Sequence, residues 1–357
     1  MERIIYKGAG FCAAVEDGVL VEYLQTDTEQ QCGDILLGKV ERMMPGLGCA
    51  FVDIGRKRSG FLPLRENSQT FSMAELRSGM TAAVQIRKEE TGEKGAFLTR
   101  DLVLAGKYLL LMPMNRYIGV SSRIQDETKK NLLWETGKEI AGDRFGLVMR
   151  SAALDATRQE LDREAAELLD QWNAVAPKLQ KAGRAGTVLC HQDPAAQMIA
   201  DYEARGISSI REEGSLPADL ERQLRTAGER TVRIGNGGNI VIDRCEAMTV
   251  IDVNTGSSRA DRAGGNLFLE TNLSACDTIA AQIRLRNLAG MILIDFIDME
   301  REEDRTSVTD ALREAFRDDP VKTVLHGFTR LGLFEMTRKR EEKPLSPRDT
   351  REAQKMQ

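Results

Sequence analysis

The sequence predicts an α/β protein of several domains, on the strength of three patterns along the chain. In residues 3–27, apolar and polar residues alternate between glycine-containing turns, which is typical of short strands. Residues 33–104 contain several short strand patterns at regular spacing, which indicates a small closed barrel. Beyond residue 231, apolar strands alternate with helices predicted over 266–287 and 301–317, which indicates a mixed α/β unit.

The segment between the barrel and this last unit has a mixed character. In residues 105–185, strand-like LLLMP and VMRSA lie among helical patterns, and the clearest helix falls within 153–181. From residue 187 the pattern reads as strand, helix and strand. We therefore expect at least one further unit between the barrel and the C-terminal part.

Composition limits the classes of function. The 357 residues are 41% hydrophobic and 29% charged, a balance typical of globular proteins. The formal net charge of −5 argues against a chain coated with nucleic acid, although it leaves room for a local basic groove. The N-terminus lacks the pattern of a signal peptide, and apolar runs are too short to span a membrane, so we expect a cytoplasmic protein.

Potential metal ligands are mostly carboxylates. The six cysteines form no CxxC pair and there are only two histidines, so a zinc cluster or a Ser-His-Asp triad has few residues to draw on. Any bound metal should be held by oxygen ligands, which favour magnesium, manganese or calcium.

Two aspartates end apolar strands. TVIDVN contains Asp252 and LIDFID contains Asp295, each at a place where core packing alone would not favour a carboxylate. Because side chains alternate along a strand, Asp252 and Asn254 should share a face. If the two strands pair side by side, Asp295 lies next to Asp252. Asp298, three residues further on, should point away.

Such a pair of carboxylates has two interpretations. A divalent cation would relieve their repulsion and could carry out phosphodiester hydrolysis, with Asn254 orienting the phosphate or a ligand. Alternatively, Asp252 and Asp295 only cap the turns that follow their strands. Spacing alone does not decide between these interpretations.

Longer motifs favour the first interpretation. The ordered segments EAMTVIDVNTG, NLAGMILIDFIDM and RLGLFEMTRKR resemble the catalytic core of the bacterial ribonuclease E and G family. Upstream, GDILLGKVERMMPGLGCAFVDIGRKRSGFLPL resembles the inserted OB-fold RNA-binding barrel of that family, and LVMRSAA resembles its sensor for an RNA 5′ monophosphate. The resemblance covers about residues 1–345.

The resemblance implies a domain plan. It consists of an RNase H-like subdomain split by the barrel and the sensor, followed by a DNase I-like α/β nuclease subdomain. The implied bounds are 1–32 and 186–230 for the split subdomain, 33–104 for the barrel, 105–185 for the 5′ sensor, 231–345 for the catalytic subdomain and 346–357 for a loose tail.

Site residues follow from the matched motifs. Asp252 and Asp295 match the magnesium-binding aspartates, and Asn254 matches the asparagine beside them. In the barrel, RNA-binding positions are matched by Phe51, Phe61, Lys88 and Lys94. In the sensor, the matching positions are Gly119, Arg150 and Ser151, where the serine replaces a common threonine and Arg123 lies nearby.

The implied activity is magnesium- or manganese-dependent cleavage of single-stranded RNA, in ribosomal RNA maturation or messenger turnover. The resemblance further implies a preference for 5′-monophosphorylated RNA and products with a 5′ phosphate and a 3′ hydroxyl. The sequence lacks the CPxCxG motif that binds zinc between two subunits in this family, so no zinc-linked dimer is expected. Two alternatives stay open: a catalytically weak RNA-binding protein of the same fold, and a phosphohydrolase of small molecules.

Overall fold

A computed structural model describes residues 1–26, 30–64, 76–90, 94–180, 183–235, 237–256 and 265–339. The predicted loose tail, 346–357, lies outside the described residues. The chain divides into two compact units, one formed by residues 1–25 with 208–357 and the other by residues 26–207. The second unit is therefore inserted in the sequence of the first.

Twenty strands are described, and they are numbered in chain order. Their bounds are β1 Arg3–Lys7, β2 Phe11–Glu16, β3 Val19–Gln25, β4 Ile35–Met44, β5 Cys49–Asp53, β6 Gly60–Pro63, β7 Thr81–Lys88, β8 Phe97–Thr99, β9 Leu104–Ala105, β10 Leu109–Met112, β11 Ile118–Val120, β12 Gly146–Met149, β13 Val188–Cys190, β14 Ser209–Glu212, β15 Thr231–Arg233, β16 Asn239–Arg244, β17 Met248–Asn254, β18 Gly290–Asp295, β19 Thr323–Phe328 and β20 Phe334–Arg338.

Seven α-helices accompany these strands in the described part of the chain. Their bounds are α1 Glu127–Ala141, α2 Arg158–Asn173, α3 Ala176–Gln180, α4 Pro194–Glu203, α5 Ala218–Thr226, α6 Gly265–Leu285 and α7 Glu302–Ala315. The helices predicted over 266–287 and 301–317 correspond to α6 and α7 and are confirmed. No helix among the described residues is long and apolar enough to cross a membrane.

The first unit contains a four-stranded sheet in the order β14-β1-β2-β3. The three strands predicted at the start of the chain are confirmed as β1, β2 and β3. Strand β1 pairs in parallel with β14, from Ile4 beside Ser209 to Lys7 beside Glu212. Both flanks of the inserted unit thus contribute to one sheet.

A six-stranded sheet in the order β15-β16-β17-β18-β20-β19 forms the other part of this unit. The helix α6 connects β17 to β18, which makes these two strands parallel neighbours. One face of the sheet is buried against α6 and α7 in a shared core, in which Ile251, Ile279 and Leu312 are fully inaccessible. The other face carries the residues of the candidate site.

A buried ion cluster ties α6 to the four-stranded sheet. Arg284 on α6 donates two hydrogen bonds to the carboxylate of Glu16 on β2, at 2.7 and 3.1 Å. Arg3 lies 3.5 Å from the same carboxylate and forms an ion pair with Asp318. The side chains of Arg3, Glu16 and Arg284 are each at most 10% exposed. Glu16 therefore compensates two buried guanidinium groups.

Removing this carboxylate should destabilise the unit strongly. We expect Glu16→Ala to lower the free energy of unfolding by about 3–5 kcal/mol, because breaking a buried pair leaves its partner charge uncompensated. Glu139→Ala is the control, since its ion pair with Arg158 is exposed on both sides and should contribute less than about 1 kcal/mol. Urea unfolding measures both values, and equal losses would contradict the assigned role of Glu16.

The inserted unit begins with the predicted barrel, which is confirmed. Strands β4, β5, β6, β8 and β7 pair in that order, and the pairing of β4 with β7 closes the sheet. Alternate residues such as Ala50, Val52 and Leu98 fill the interior. Gly38 faces this interior, where an added Cβ would lie 2.6 Å from the side chain of Val52. The barrel is therefore tightly filled from within.

The rest of the inserted unit is a four-stranded sheet, β11-β12-β10-β9, with helices packed against it. The helix predicted within 153–181 begins later than its apolar pattern, because Thr157 and Glu160 form a capping box at the start of α2. Residues Ser151–Asp155 form a 3₁₀ turn instead, and Leu154 is 40% exposed. Helical spacing alone did not indicate this break.

Candidate active site

The pairing of β17 with β18 brings the two predicted aspartates together. The strands run parallel in continuous register from Met248 beside Met291 to Asp252 beside Asp295. Ile251 and Ile294 are buried in the core, whereas Asp252 and Asp295 are exposed on the opposite face. Since neighbouring strands lie about 4.8 Å apart, the two carboxylates are close neighbours at the carboxyl ends of their strands.

Asn254 holds one of these carboxylates. Its side-chain amide donates a hydrogen bond of 2.8 Å to Oδ2 of Asp252. The two residues share a face because they are two positions apart on β17, as predicted. This bond limits the rotation of the Asp252 carboxylate, and an amide oxygen remains next to it.

The negative charges of Asp252 and Asp295 repel each other. The pKa of Asp295 is raised above its ordinary value, first by partial burial and then by the charges of Asp252 and Asp298. Asp298, ranked below the pair in the sequence, also contributes charge at Asp295. The three carboxylates therefore form one negative region at the carboxyl ends of β17 and β18.

The donor set fits a hard divalent cation. The exposed carboxylate oxygens of Asp252 and Asp295 are the ligands that Mg²⁺ and Mn²⁺ prefer. Among the described residues, no group of three or more His, Cys, Asp or Glu side chains is arranged to hold a metal. A cation held by Asp252 and Asp295 alone would keep several coordination positions for water or substrate, as Mg²⁺ commonly does in proteins.

Two further polar residues lie in the row next to the aspartates. Asn239 on β16 is in register with Asn254, and Arg233 on β15 is in register with Asn239. Arg233 is exposed and supplies a positive charge on the edge strand. Sequence reasoning missed both residues, although the glycine-containing turn between β15 and β16 offered a way to derive their hairpin register.

The predicted barrel residues lie on its outer surface. Phe51 is half-buried and Phe61 is 36% exposed, and their ring centroids are 6.2 Å apart on neighbouring strands. Phe51 is thus not part of the barrel core. Lys88 is exposed at the end of β7, and Lys94 is exposed shortly before β8. Sequence reasoning missed Arg42 and Phe97, which adjoin these residues.

The predicted sensor residues also come together. Gly119 on β11 pairs with Val148 on β12, and Arg150 and Ser151 directly follow that strand. The Arg150 guanidinium donates to Oδ1 of Asp201 at 2.7 Å and to the carbonyl oxygen of Gly106. Its side chain is 14% exposed. Arg150 is therefore engaged with a carboxylate that sequence reasoning did not identify.

A second carboxylate lies near Arg150. Glu164 on α2 accepts hydrogen bonds from the backbone N–H groups of residues 107–109, at 2.7–2.8 Å. Burial raises the pKa of Glu164, whereas these bonds and the charge of Arg150 act to lower it. Arg123 approaches Asp201 to 3.7 Å. The surroundings of Arg150 thus contain both signs of charge.

Comparisons with known proteins identify the chain's relatives. It matches the Ribonuclease E/G family over residues 103–216 and 215–341. It is 32% identical to Ribonuclease G of Escherichia coli (strain K12), over 91% of this chain and 76% of that protein. The chain belongs to the Ribonuclease E/G family. The resemblance stated from the motifs is confirmed.

Other members of the Ribonuclease E/G family match over similar stretches. Ribonuclease G of Haemophilus influenzae is 32% identical over 92% of this chain and 77% of that protein. Ribonuclease E of the same organism is 36% identical over 87% of this chain, but this covers only 38% of Ribonuclease E. The match to the G-type relatives therefore extends over a much larger share of their length.

The like charges at Asp252 and Asp295 predict a pH-dependent gain on neutralising one of them. In chelator at pH 7, Asp295→Asn should raise the free energy of unfolding by up to about 1 kcal/mol, the size of an exposed charge interaction. The wild-type penalty exists only while Asp295 is ionised. Because its folded pKa is raised, the gain should disappear as the pH falls through that pKa.

Thermal or urea unfolding at several pH values measures this gain. Asp310→Asn is the control, because Asp310 is exposed on α7 and forms an ion pair with Arg313. That substitution removes an attraction and should slightly destabilise the chain. A loss of stability in Asp295→Asn at pH 7 would contradict the like-charge interpretation.

Proposed function

We propose that this chain is an endoribonuclease that cleaves single-stranded RNA at a divalent cation held by Asp252 and Asp295. The observation that carries the proposal is the register of two exposed carboxylates at the ends of parallel strands, in a member of a ribonuclease family. Cleavage serves RNA processing, in ribosomal RNA maturation or messenger turnover, in the cytoplasm.

Mg²⁺ is the proposed cation, with Mn²⁺ as a substitute. When bound, it would polarise the scissile phosphate and activate the attacking water. The like charges on Asp252 and Asp295 favour its binding, because a cation relieves a repulsion that, after partial burial, contributes to the raised pKa of Asp295. Asn254 keeps the Asp252 carboxylate oriented through its 2.8 Å hydrogen bond.

The proposed reaction is hydrolysis. A water molecule loses a proton and its oxygen forms a bond to phosphorus, the bond from phosphorus to the 3′ oxygen breaks, and that leaving oxygen takes up a proton. The products are a 5′ phosphate and a 3′ hydroxyl. Arg233, exposed in the row that contains Asn254, supplies a positive charge for a backbone phosphate of the substrate.

The proposed domain plan follows the family. It comprises an RNase H-like subdomain from 1–32 and 186–230, an OB-fold barrel over 33–104, a 5′ sensor over 105–185 and a DNase I-like subdomain over 231–345. Pairing of β1 with β14 supports a subdomain built from both flanks. The closed five-stranded barrel supports the OB-like assignment.

Cleavage of a labelled RNA tests the central proposal. A 5′-monophosphorylated single-stranded RNA should be cut internally in Mg²⁺ and left intact in chelator. Asp252→Asn and Asp295→Asn should each lower the rate by at least about 100-fold, because each removes a charged ligand of the cation. Asp243→Asn is the matched control, since Asp243 lies on β16 of the same sheet but pairs with Arg230.

Product ends and cation dependence decide the outcome. Labelled products should carry a 5′ phosphate and a 3′ hydroxyl, which enzymatic end-labelling distinguishes from 2′,3′-cyclic ends. Asp243→Asn should cleave at nearly the wild-type rate. Internal cutting that persists in chelator, or in Asp295→Asn at the wild-type rate, would refute the proposed site.

A preference for a 5′ monophosphate is the second part of the proposal. Gly119, Arg150 and Ser151 form the proposed sensor, in which the Arg150 guanidinium grips the terminal phosphate. Asp201 currently accepts a hydrogen bond from this guanidinium, so a phosphate would have to replace it as the partner. Arg123, close to Asp201, adds positive charge for the exchange.

Two substitutions with opposite expected effects test the sensor. Arg150→Ala should slow cleavage of 5′-monophosphorylated RNA at least about tenfold relative to 5′-hydroxyl RNA, because only the former carries the terminal charge. Asp201→Asn should increase the preference, because it removes the competing carboxylate. Arg158→Ala serves as an exposed control. If both RNAs respond equally to both substitutions, the sensor assignment is wrong.

A further inference from the structure

A buried asparagine holds the chain where it leaves the sheet, just beyond Asp295. The ladder of β18 ends at Asp295 on the side of β17 and at Ile294 on the side of β20. Ile297 lies beyond both ladders, so its backbone N–H and C=O groups need other partners. The side-chain amide of Asn272 on α6 donates to the carbonyl oxygen of Ile297 at 2.8 Å, and its Oδ1 accepts from the N–H of Ile297 at 3.0 Å. We call these two bonds the Asn272 clamp.

Both sides of the Asn272 clamp are anchored in the core. Asn272 is fully inaccessible to solvent, and the thiol of Cys276 on the same helix donates to its carbonyl oxygen at 3.2 Å. On the other side, Phe296 is 5% exposed, and its ring centroid lies 6.1 Å from that of Phe328 and 6.2 Å from that of Phe334. The backbone at Ile297 is therefore held from the side of the sheet that α6 covers.

The clamp lies between two exposed carboxylates of the candidate active site. Asp295 is two residues before Ile297, and Asp298 directly follows it. The carbonyl group that Asn272 holds belongs to the planar peptide unit joining Ile297 to Asp298, so this bond also fixes where Asp298 begins. The charge of Asp298 contributes to the raised pKa of Asp295, after burial and the charge of Asp252. The segment that the clamp holds thus carries two of the three carboxylates in the negative region.

Removing the amide would release this segment. The N–H and C=O groups of Ile297 would lose their partners, and a partly buried polar group without a partner is unfavourable. The chain would shift to bring these groups to water, and Asp295, as the last residue of its ladder, would move with it. A displacement of about 1 Å in a positioning element can lower a reaction rate by about 100-fold.

We propose that Asn272 is a positioning residue of the active site, which holds Asp295 and Asp298 in place relative to Asp252 through the backbone of Ile297. Asn272 acts from behind the sheet, because it is fully buried on the side that α6 covers. This inference rests on the proposed function, which it deepens by adding a residue that orients the carboxylates without touching RNA or cation.

Manganese binding measures the effect of the clamp independently of cleavage. Free Mn²⁺ gives an electron paramagnetic resonance signal that is broadened on binding, so a titration of the full chain without RNA yields a dissociation constant. Asn272→Ala should raise this constant at least about tenfold, which is the size of effect found for residues that orient metal ligands.

Cleavage and RNA binding distinguish a positioning role from a substrate contact. At saturating RNA in Mg²⁺, Asn272→Ala should lower kcat at least about tenfold. Its affinity for the same RNA in chelator should stay at the wild-type value, because Asn272 lies behind the sheet and does not reach the substrate.

Ile283→Ala is the matched control for lost stability. Ile283 is fully inaccessible on the same helix, about three turns beyond Asn272. Loss of its side chain leaves a cavity and should lower the midpoint of thermal unfolding at least as much as Asn272→Ala does. At a temperature at which both variants are folded, Ile283→Ala should keep the wild-type Mn²⁺ affinity and kcat.

Asn272→Asp tests the two bonds of the clamp directly. A neutral carboxyl group has nearly the shape of the amide, and it can both donate to the carbonyl oxygen and accept from the N–H of Ile297. The ionised group cannot donate and places a negative charge against that carbonyl oxygen. Burial favours the neutral form. The ratio of the variant's kcat to the wild-type kcat should therefore rise as the pH is lowered and fall as it is raised.

The outcomes separate the clamp from the proposed function. Wild-type Mn²⁺ affinity and kcat in folded Asn272→Ala would overturn the inference, as would equal losses in Ile283→Ala. If Asn272→Ala does not fold, a kcat ratio for Asn272→Asp that is independent of pH would overturn it. Absence of both Mn²⁺ binding and Mg²⁺-dependent cleavage in the wild-type chain would reject the proposed function itself, whatever the variants do.

Discussion

The candidate active site depends on the parallel pairing of β17 with β18. Because side chains alternate along each strand, a single register puts Ile251 and Ile294 into the core and Asp252 and Asp295 on the open face. A slip of either strand by one residue would turn its own aspartate into the core and its own isoleucine to the open face. The core therefore fixes the carboxylate pair indirectly: burial of large apolar side chains is worth several kcal/mol, far more than the repulsion of two partly solvated charges.

The same constraint places Phe51, Phe61 and Phe97 outside the barrel core. Filling the barrel with alternate residues leaves the intervening positions outside, and closure of the sheet brings residues from five strands into one line. Exposed phenylalanines lower solubility and contribute little to the packed interior. Barrel packing alone therefore does not explain why three of them lie side by side on the surface. Within each unit, strand register thus determines which side chains can act together.

The sequence best predicted the features that depend on the alternation of side chains along a single strand. The pairing of Asp252 with Asn254 follows from alternation along one strand, and Asp295 follows once α6 is recognised as a crossover between parallel strands. Phe97 could not be found in this way, because a single phenylalanine in GAFLT has no local signal for exposure and its neighbour Phe61 lies on a non-consecutive strand. Asp201 was missed for a similar reason: it is 51 residues from Arg150, and no pattern in the sequence links them.

The aspartate pair and Arg150, both predicted to act on phosphate groups, differ in how their charges are compensated. Asp252 and Asp295 repel each other, so a cation binding there removes an existing penalty. Arg150 is different, because Asp201 and the carbonyl oxygen of Gly106 already accept its hydrogen bonds. A phosphate arriving at Arg150 exchanges one anion for another, and the net gain is only the difference between the two partners. For the proposed sensor, the consequence would be discrimination with weak binding. The aspartate pair, by contrast, has the electrostatics of a site that is stabilised when a cation binds.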